Sequence, residues 1–203
     1  MVKKLAVFAS GSGSNFEAIV QAIHDGRLTG AEVALLICDK PNAYVLERAA
    51  RLGVPTYPFD PKAFADKAAF ETVIVEKLRE INIDLVVLAG YMRLVGDVLL
   101  SSYEGKIINL HPSLLPAFTG KDAIGQALEY GVKVTGVTVH FVDAGLDTGP
   151  IIAQVPVAVE QDDTHDTLAS RIHAEEHKLL IDVIQKIVAG TISASGRHVR
   201  EGK

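Results

Sequence analysis

The feature that most constrains this chain is an alternation of two patterns. Short, strand-length apolar runs are separated by segments whose apolar residues fall at helical spacing. The runs occupy residues 5–9, 33–38, 85–89, 107–110, 134–142 and 151–159. The early ones are almost continuously apolar, which suits parallel strands whose two faces are both covered. Between them, Ser14 or Asn15 is expected to cap a helix running to His24, with Phe16, Ile19, Val20 and Ile23 on one face. A second helix over 43–52 ends at Gly53, a C-terminal stop glycine. The spacing of Phe70, Val73, Ile74, Lys77, Leu78 and Ile81 predicts a long helix over 63–81, and a further one over 123–130 ends at Gly131.

The last third changes character. Residues 134–142 (VTGVTVHFV) and 153–159 alternate apolar and polar positions, which predicts antiparallel strands joined by the turn-rich DAGLDTGP. A final helix over about 164–188 follows the acidic QDDTHD, and residues 191–203 lack periodicity and read as a surface tail. No internal repeat and no Pro-, Gly- or Ser-rich linker divides the chain. The expectation is an α/β fold: a single domain over 1–190, doubly wound, with a mainly parallel sheet and antiparallel strands toward its C-terminal edge.

Composition agrees with a packed domain, since 48% of the 203 residues are hydrophobic and 22% charged. A net charge of −5 argues against a nucleic-acid-wrapping surface, while leaving room for a local basic pocket. The single cysteine, Cys38, excludes an internal disulfide framework and fits a reducing compartment. The apolar run in MVKKLAVFAS stops too early for a secretory signal, and no stretch reaches ~18 apolar residues, so no membrane partner is expected. A cytoplasmic protein is the expectation.

Four stretches could carry chemistry. In VFASGSGSNFEAI, Gly11 and Gly13 allow close backbone approach, while Ser12, Ser14 and Asn15 place polar donors at a helix N-terminus, an arrangement that favours an anion. A dinucleotide fingerprint would require a third glycine where Phe16 stands, and no acidic residue closes the second strand before Asp39. One terminal phosphate fits better; a plain tight turn is the bland alternative. In INLHPSLLPAF, Asn109 and His111 share one face of a strand if it continues that far, and Pro112 and Pro116 then break regular structure. That presents His111 at a carboxyl end, where open α/β sheets bind ligands, with an amide beside it able to stabilise an oxyanion. A structural histidine is the plainer alternative.

In FVDAGLDTGP, Asp143 and Asp147 sit among glycines after a strand, which ordinary turn chemistry would also explain. A carboxylate brought to His111 by this loop would favour the imidazolium. Finally, His173-Ala174-Glu175-Glu176-His177 matches a His-x-x-Glu-His zinc pattern on a helix. No clear third ligand completes that shell, so no metal is expected, and a solvated helix face is the simpler reading.

At these residues the chain closely resembles the phosphoribosylglycinamide formyltransferases, the folate-dependent transformylases of purine synthesis. The resemblance runs from Ser10 to the final helix and includes GSGSN (11–15), VVLAGYMRLV (86–95), INLHPSLLPAF (108–118) and LDTGP (146–150). It implies a Rossmann-like formyltransferase fold in which Gly13, Ser14 and Asn15 hold the 5′-phosphate of 5′-phosphoribosylglycinamide. Phe16 then replaces the third glycine because no second nucleotide half approaches there. It also implies that His173, Ala174, Glu175 and Glu176 face the phosphate and ribose. Met92, Arg93, Leu94 and Val95, with Asn109 and the loop Asp143, Ala144, Gly145, Leu146 and Asp147, would line a site for 10-formyltetrahydrofolate. Lys67 matches a basic position near the folate's glutamate tail, where lysine pairs a carboxylate less well than arginine. The chain departs from some relatives in carrying Asp122 and Ile124 where they have a histidine pair.

The implied chemistry is direct formyl transfer to an amine, with no covalent enzyme intermediate and no metal. Asn109 and protonated His111 would stabilise the oxyanion, His111 would shuttle protons, and Asp147 would orient His111. Formyltetrahydrofolate hydrolase is the alternative, followed by methionyl-tRNA formyltransferase. Both share HPSLLP, but each usually carries an added domain with no counterpart among these motifs. A catalytically silent nucleotide-binding module is the reading from a different class, and the intact Asn109, His111 and Asp147 oppose it. A homodimer through a sheet edge is compatible with the sequence.

Overall fold

The computed structural model describes residues 1–202. In chain order it contains β1 (Lys3–Ala9), α1 (Ser14–His24), β2 (Ala31–Cys38), α2 (Val45–Leu52), β3 (Thr56–Pro58), α3 (Lys67–Glu80), β4 (Leu85–Leu88) and α4 (Asp97–Ser102). Then follow β5 (Ile107–His111), α5 (Ala123–Tyr130), β6 (Val134–Phe141), β7 (Ile151–Ala158), α6 (His165–Ala189), β8 (Ile192–Ser195) and β9 (His198–Glu201). The seven-stranded sheet has the order β3-β2-β1-β4-β5-β6-β7, and β8 and β9 make a separate pair. Strands β1, β2, β3 and β4 pair in parallel, whereas β6 and β7 run antiparallel. The order reverses between β1 and β4, so the expected doubly wound, mainly parallel sheet is present. The chain divides into two compact units, Met1–Ile108 and the residues from Asn109 onward.

In the first unit β1 is the central strand, and Leu5, Ala6, Val7 and Phe8 are fully buried. Its continuous apolar run follows from having β2 on one side, β4 on the other and no face left to solvent. α1 buries Phe16, Ile19, Val20 and Ala22, each large side chain contributing roughly 1.5–3 kcal/mol by transfer from water. The expected cap by Ser14 or Asn15 is not formed. Gly13 occupies the cap position at φ 77° with no side-chain cap, and both polar residues lie inside the first turn. Only glycine suits that position, because a Cβ there would drive into Val45. Asp66 accepts from Ala69 N at 2.8 Å and starts α3 at Lys67, shortening the helix expected from residue 63.

The second unit is built on the β6–β7 ladder, with α6 packed against both strands and against α5. The α6 N-terminus is capped by Thr164 and Thr167, and Gly190 closes the helix at φ 74°. Residues 192–201, expected to belong to an irregular tail, form the β8–β9 hairpin beside β7. Its small and charged residues hide the period-two signal that marks a buried strand. Two further elements escaped the sequence reading for want of length: β3 has three residues and α4 six.

Glu71 on α3 is buried, and its two oxygens accept from Gly96 N at 2.6 Å and Leu99 N at 3.2 Å, satisfying the start of α4. Glu71→Leu should therefore lower unfolding stability by about 2 kcal/mol, because two backbone donors lose a charged acceptor. Urea denaturation reads this out; an unchanged midpoint would show that the cap contributes nothing.

Candidate active site

The side chains that come together in the second unit begin with β5. Strand alternation places Asn109 and His111 on one face, and the strand does extend to His111, its last residue. Beyond it the chain is braced rather than loose. Thr138 on β6 donates its hydroxyl to Ser113 O at 2.7 Å and accepts from Leu115 N at 3.1 Å and Gln154 Nε2 at 2.9 Å. Ser113, fully buried, donates to Ala117 O at 2.5 Å. The brace delivers Phe118 at φ 54°, a left-handed conformation costly for a bulky residue. Its carbonyl accepts from His111 Nε2 at 2.7 Å.

Asp147 arrives from the turn after β6. Asp143 Oδ1 accepts from Gly145 N at 3.1 Å and from the Thr148 hydroxyl at 2.7 Å, closing the turn on itself. Gly149 lies against Phe141 O, where a Cβ would collide. At the C-terminal hairpin, Arg197 Nη2 donates to Thr148 O at 2.8 Å. Asp147 itself sits at φ 55°, which aspartate tolerates better than most residues. Its Oδ2 accepts from Gly120 N at 2.8 Å and lies 3.5 Å from His111 Nδ1; its Oδ1 accepts from Asn109 Nδ2 at 3.4 Å. The carboxylate is 9% exposed and the imidazole 6%.

Proton positions follow from the partners. A carbonyl only accepts, so His111 Nε2 must carry hydrogen toward Phe118 O. Nδ1 is then the atom facing Asp147, and a second proton, when the ring takes one, lies between ring and carboxylate. A second histidine, His140, completes the cluster and was not singled out from the sequence. Its Nδ1 donates to Phe141 O at 2.8 Å. Burial pushes its pKa down and keeps it neutral, so Nε2 accepts from Asn109 Nδ2 at 3.1 Å. The β6–β7 register shifts between Val139 and His140, an irregularity that strand alternation alone does not disclose. The available signal was the one titratable residue within the buried stretch of β6.

The other expected residues are placed as follows. In the first unit, the turn at 11–15 leaves the carboxyl end of β1 and is held to α2, where Val45 N donates to Gly11 O at 3.1 Å and Arg48 Nε to Ser12 O at 2.7 Å. Glu17 in the first turn of α1 pairs with Arg48 and Arg51. Met92 and Leu94 stand 60% and 55% exposed in the segment after β4, and Lys67 Nζ donates to Leu94 O at 3.1 Å. Arg93 is paired with Asp39 at 2.8 Å.

In the second unit, His173 Nδ1 donates to buried Glu176 Oε2 at 2.8 Å, and that bond raises the histidine's pKa. Ala174 is exposed, and Glu175 pairs with Lys178 at 2.8 Å. Leu146 is another exposed apolar side chain. Asp122, one of the two departures from the histidine-bearing relatives, caps α5 by accepting from Gly125 N at 3.1 Å and meets His165 Nε2 at 3.0 Å. His165 holds its carboxyl below the usual range. Ile124, the other departure, is buried. Among the described residues, no group of three or more His, Cys, Asp or Glu is arranged to hold a metal ion.

Chemically, the cluster offers an amide donor, an imidazole and a carboxylate held by two N–H donors with the imidazole 3.5 Å away. That set can stabilise a developing oxyanion and move a proton. Comparison with known proteins gives its family context. Residues 3–184 match the formyl transferase family. A phosphoribosylglycinamide formyltransferase of Bacillus subtilis is 56% identical, covering 92% of this chain and 95% of its own. The crystal structure of glycinamide ribonucleotide transformylase 1 from Symbiobacterium toebii superposes with a TM-score of 0.97 at 46% identity, covering 100% of this chain and 95% of that one. The corresponding Geobacillus kaustophilus structure gives 0.90 at 57% identity, covering 93% and 100%. The chain therefore belongs to the formyl transferase family, in its phosphoribosylglycinamide formyltransferase branch.

Proposed function

We propose that this protein transfers the formyl group of 10-formyltetrahydrofolate directly to the amine of 5′-phosphoribosylglycinamide, a step of purine biosynthesis. The observation that carries the reading is the cluster of Asn109, His111 and Asp147 at the end of β5, in a chain of this family. The protein works in the cytoplasm on two small molecules, without a metal, a nucleic acid or a membrane; none of its described helices is long and apolar enough to cross one. A homodimer through a sheet edge belongs to the same reading.

The acceptor amine, with a pKa of roughly 8 by analogy with an α-amino group, must be neutral to attack the formyl carbon. Attack places negative charge on the formyl oxygen. Asn109 answers it with the N–H that otherwise reaches Asp147 over a long 3.4 Å, while its other N–H stays anchored on His140. His111 supplies and recovers the proton that the departing folate nitrogen needs, directly or through water. Asp147 fixes the ring's tilt and balances its charge. Gly13, Ser14 and Asn15 hold the substrate's phosphate at the α1 N-terminus, and His173, Ala174, Glu175 and Glu176 attend the phosphate and ribose. Met92, Arg93, Leu94 and Val95, with Asn109 and the loop Asp143, Ala144, Gly145, Leu146 and Asp147, take the folate, and Lys67 lies toward its glutamate tail. The exposed Met92, Leu94 and Leu146 suit the flat, largely apolar body of that donor.

Mixing the protein with 10-formyltetrahydrofolate, with and without 5′-phosphoribosylglycinamide, tests this by absorbance of the folate product. Product only with the amine supports transfer. Product without it favours the hydrolase, and none favours a binding module. His111→Ala and Asp147→Asn should each lower kcat on the order of 10²–10⁴-fold while largely keeping substrate affinity. A variant with wild-type kcat would remove that residue from the mechanism. Asn15→Leu should raise KM for the ribonucleotide far more than for the folate, and equal rises would contradict the phosphate assignment.

Neutral His140 also has a stability consequence. Its folded pKa lies below the unfolded value of about 6.5, so its contribution is complete above that pH and is lost as pH falls through the folded value. His140→Gln should therefore lose less Tm than wild type between about pH 7 and 5. Parallel losses in the two proteins would show that His140 does not carry this pH dependence.

A further inference from the structure

We propose that Ser10, Asp39 and Arg93 form a buried brace that sets the segment Met92–Val95, with Arg93 positioning that segment rather than binding the folate's carboxylates. Asp39 lies just beyond β2, and its side chain is 3% exposed. A carboxylate so buried needs partners for both oxygens. Oδ1 accepts from the Ser10 hydroxyl at 2.5 Å and Oδ2 from Arg93 Nε at 2.8 Å. Because the carboxylate only accepts, Ser10 must donate to it, which leaves the serine lone pairs for other donors. Met92 N takes one at 2.9 Å, and Ser10 N donates in turn to Gly90 O at 3.0 Å.

These bonds join the carboxyl ends of β1 and β2 to the loop after β4, where the strand order reverses. Tyr91 packs edge-on against Phe8 with ring centroids 5.3 Å apart. From α3, Lys67 holds Leu94 O and Glu71 holds Gly96 N. The irregular stretch 90–96 is thus tied at residues 90, 92, 93, 94 and 96, while Met92 and Leu94 are left exposed. Swinging Arg93 off Asp39 toward a ligand would strip the buried carboxylate of its countercharge. The geometry therefore commits the Nε of this guanidinium to the loop's placement.

The proposal rests on the assignment of Met92–Val95 to the folate donor. Its test measures KM for 10-formyltetrahydrofolate and for 10-formyltetrahydropteroate, which lacks the glutamate. Arg93→Ala, Asp39→Leu and Ser10→Ala should each raise KM about tenfold, by the same factor for both donors, with KM for the ribonucleotide changed by less than about twofold. Asp39→Asn should recover most of the loss, because its carbonyl still accepts from Arg93 and its amide can donate to the second Ser10 lone pair.

A penalty for Arg93→Ala confined to the glutamate-bearing donor would overturn the proposal and make Arg93 a ligand. Wild-type donor KM in Asp39→Leu or Ser10→Ala would overturn it as well. Circular dichroism and the ribonucleotide KM report whether each variant folds; should Asp39→Leu not fold, Ser10→Ala and Arg93→Ala decide the matter. An unmutated protein that transfers no formyl group fails on function, an outcome distinct from unchanged KM values in an active enzyme.

Discussion

A carboxylate removed from water must be met by donors, and in the second unit much else is arranged around that requirement at Asp147. Its partners come from two places: the strand β5 supplies the Asn109 amide and the His111 ring, and the loop before α5 supplies Gly120 N. Both side chains have their own support. His111 is held at its far nitrogen by Phe118 O, and Asn109 by a histidine kept neutral through burial. The strained backbone at Phe118 and Asp147 persists because these bonds and the Ser113–Thr138–Gln154 brace determine it from several sides. A loosely held aspartate would relax toward water, and the imidazole would lose its fixed tilt.

The first unit uses the same device twice. Glu71 satisfies the start of a short helix, and Asp39 gathers a serine, an arginine and, through the serine, a backbone amide. In both cases a buried acid on or just beyond one element holds an irregular segment that follows another. Loops pinned in this way can present exposed apolar groups such as Met92 and Leu94 without collapsing onto the core. Rigid support behind a binding segment reduces the ordering that binding would otherwise require.

The sheet was legible from the chain because parallel strands covered on both faces demand unbroken apolar runs. The stops at Gly53 and Gly131 were legible for a local reason too: each is a left-handed helix end, at φ 70° and 80°. Asn109 and His111 could be placed on one face by alternation alone. The α1 cap was misread, since side-chain preference named Ser14 or Asn15 while the contact of Gly13 with Val45 decided the geometry. The hairpin at 192–201 was missed because strands lying on a surface need not alternate in hydrophobicity.

What the sequence by itself determined is therefore whatever depends on near neighbours: strand and helix periods, glycine stops, and the chemical types available at the end of β5. The tertiary structure decided which distant groups meet. His140 meets Asn109 across thirty-one positions, Asp147 reaches His111 across a turn with φ 55°, and Asp39 finds Arg93 fifty-four positions away. The physical reason is range. Backbone preferences act over a few residues, whereas a buried charge is satisfied by any donor that the whole fold brings within about 3 Å.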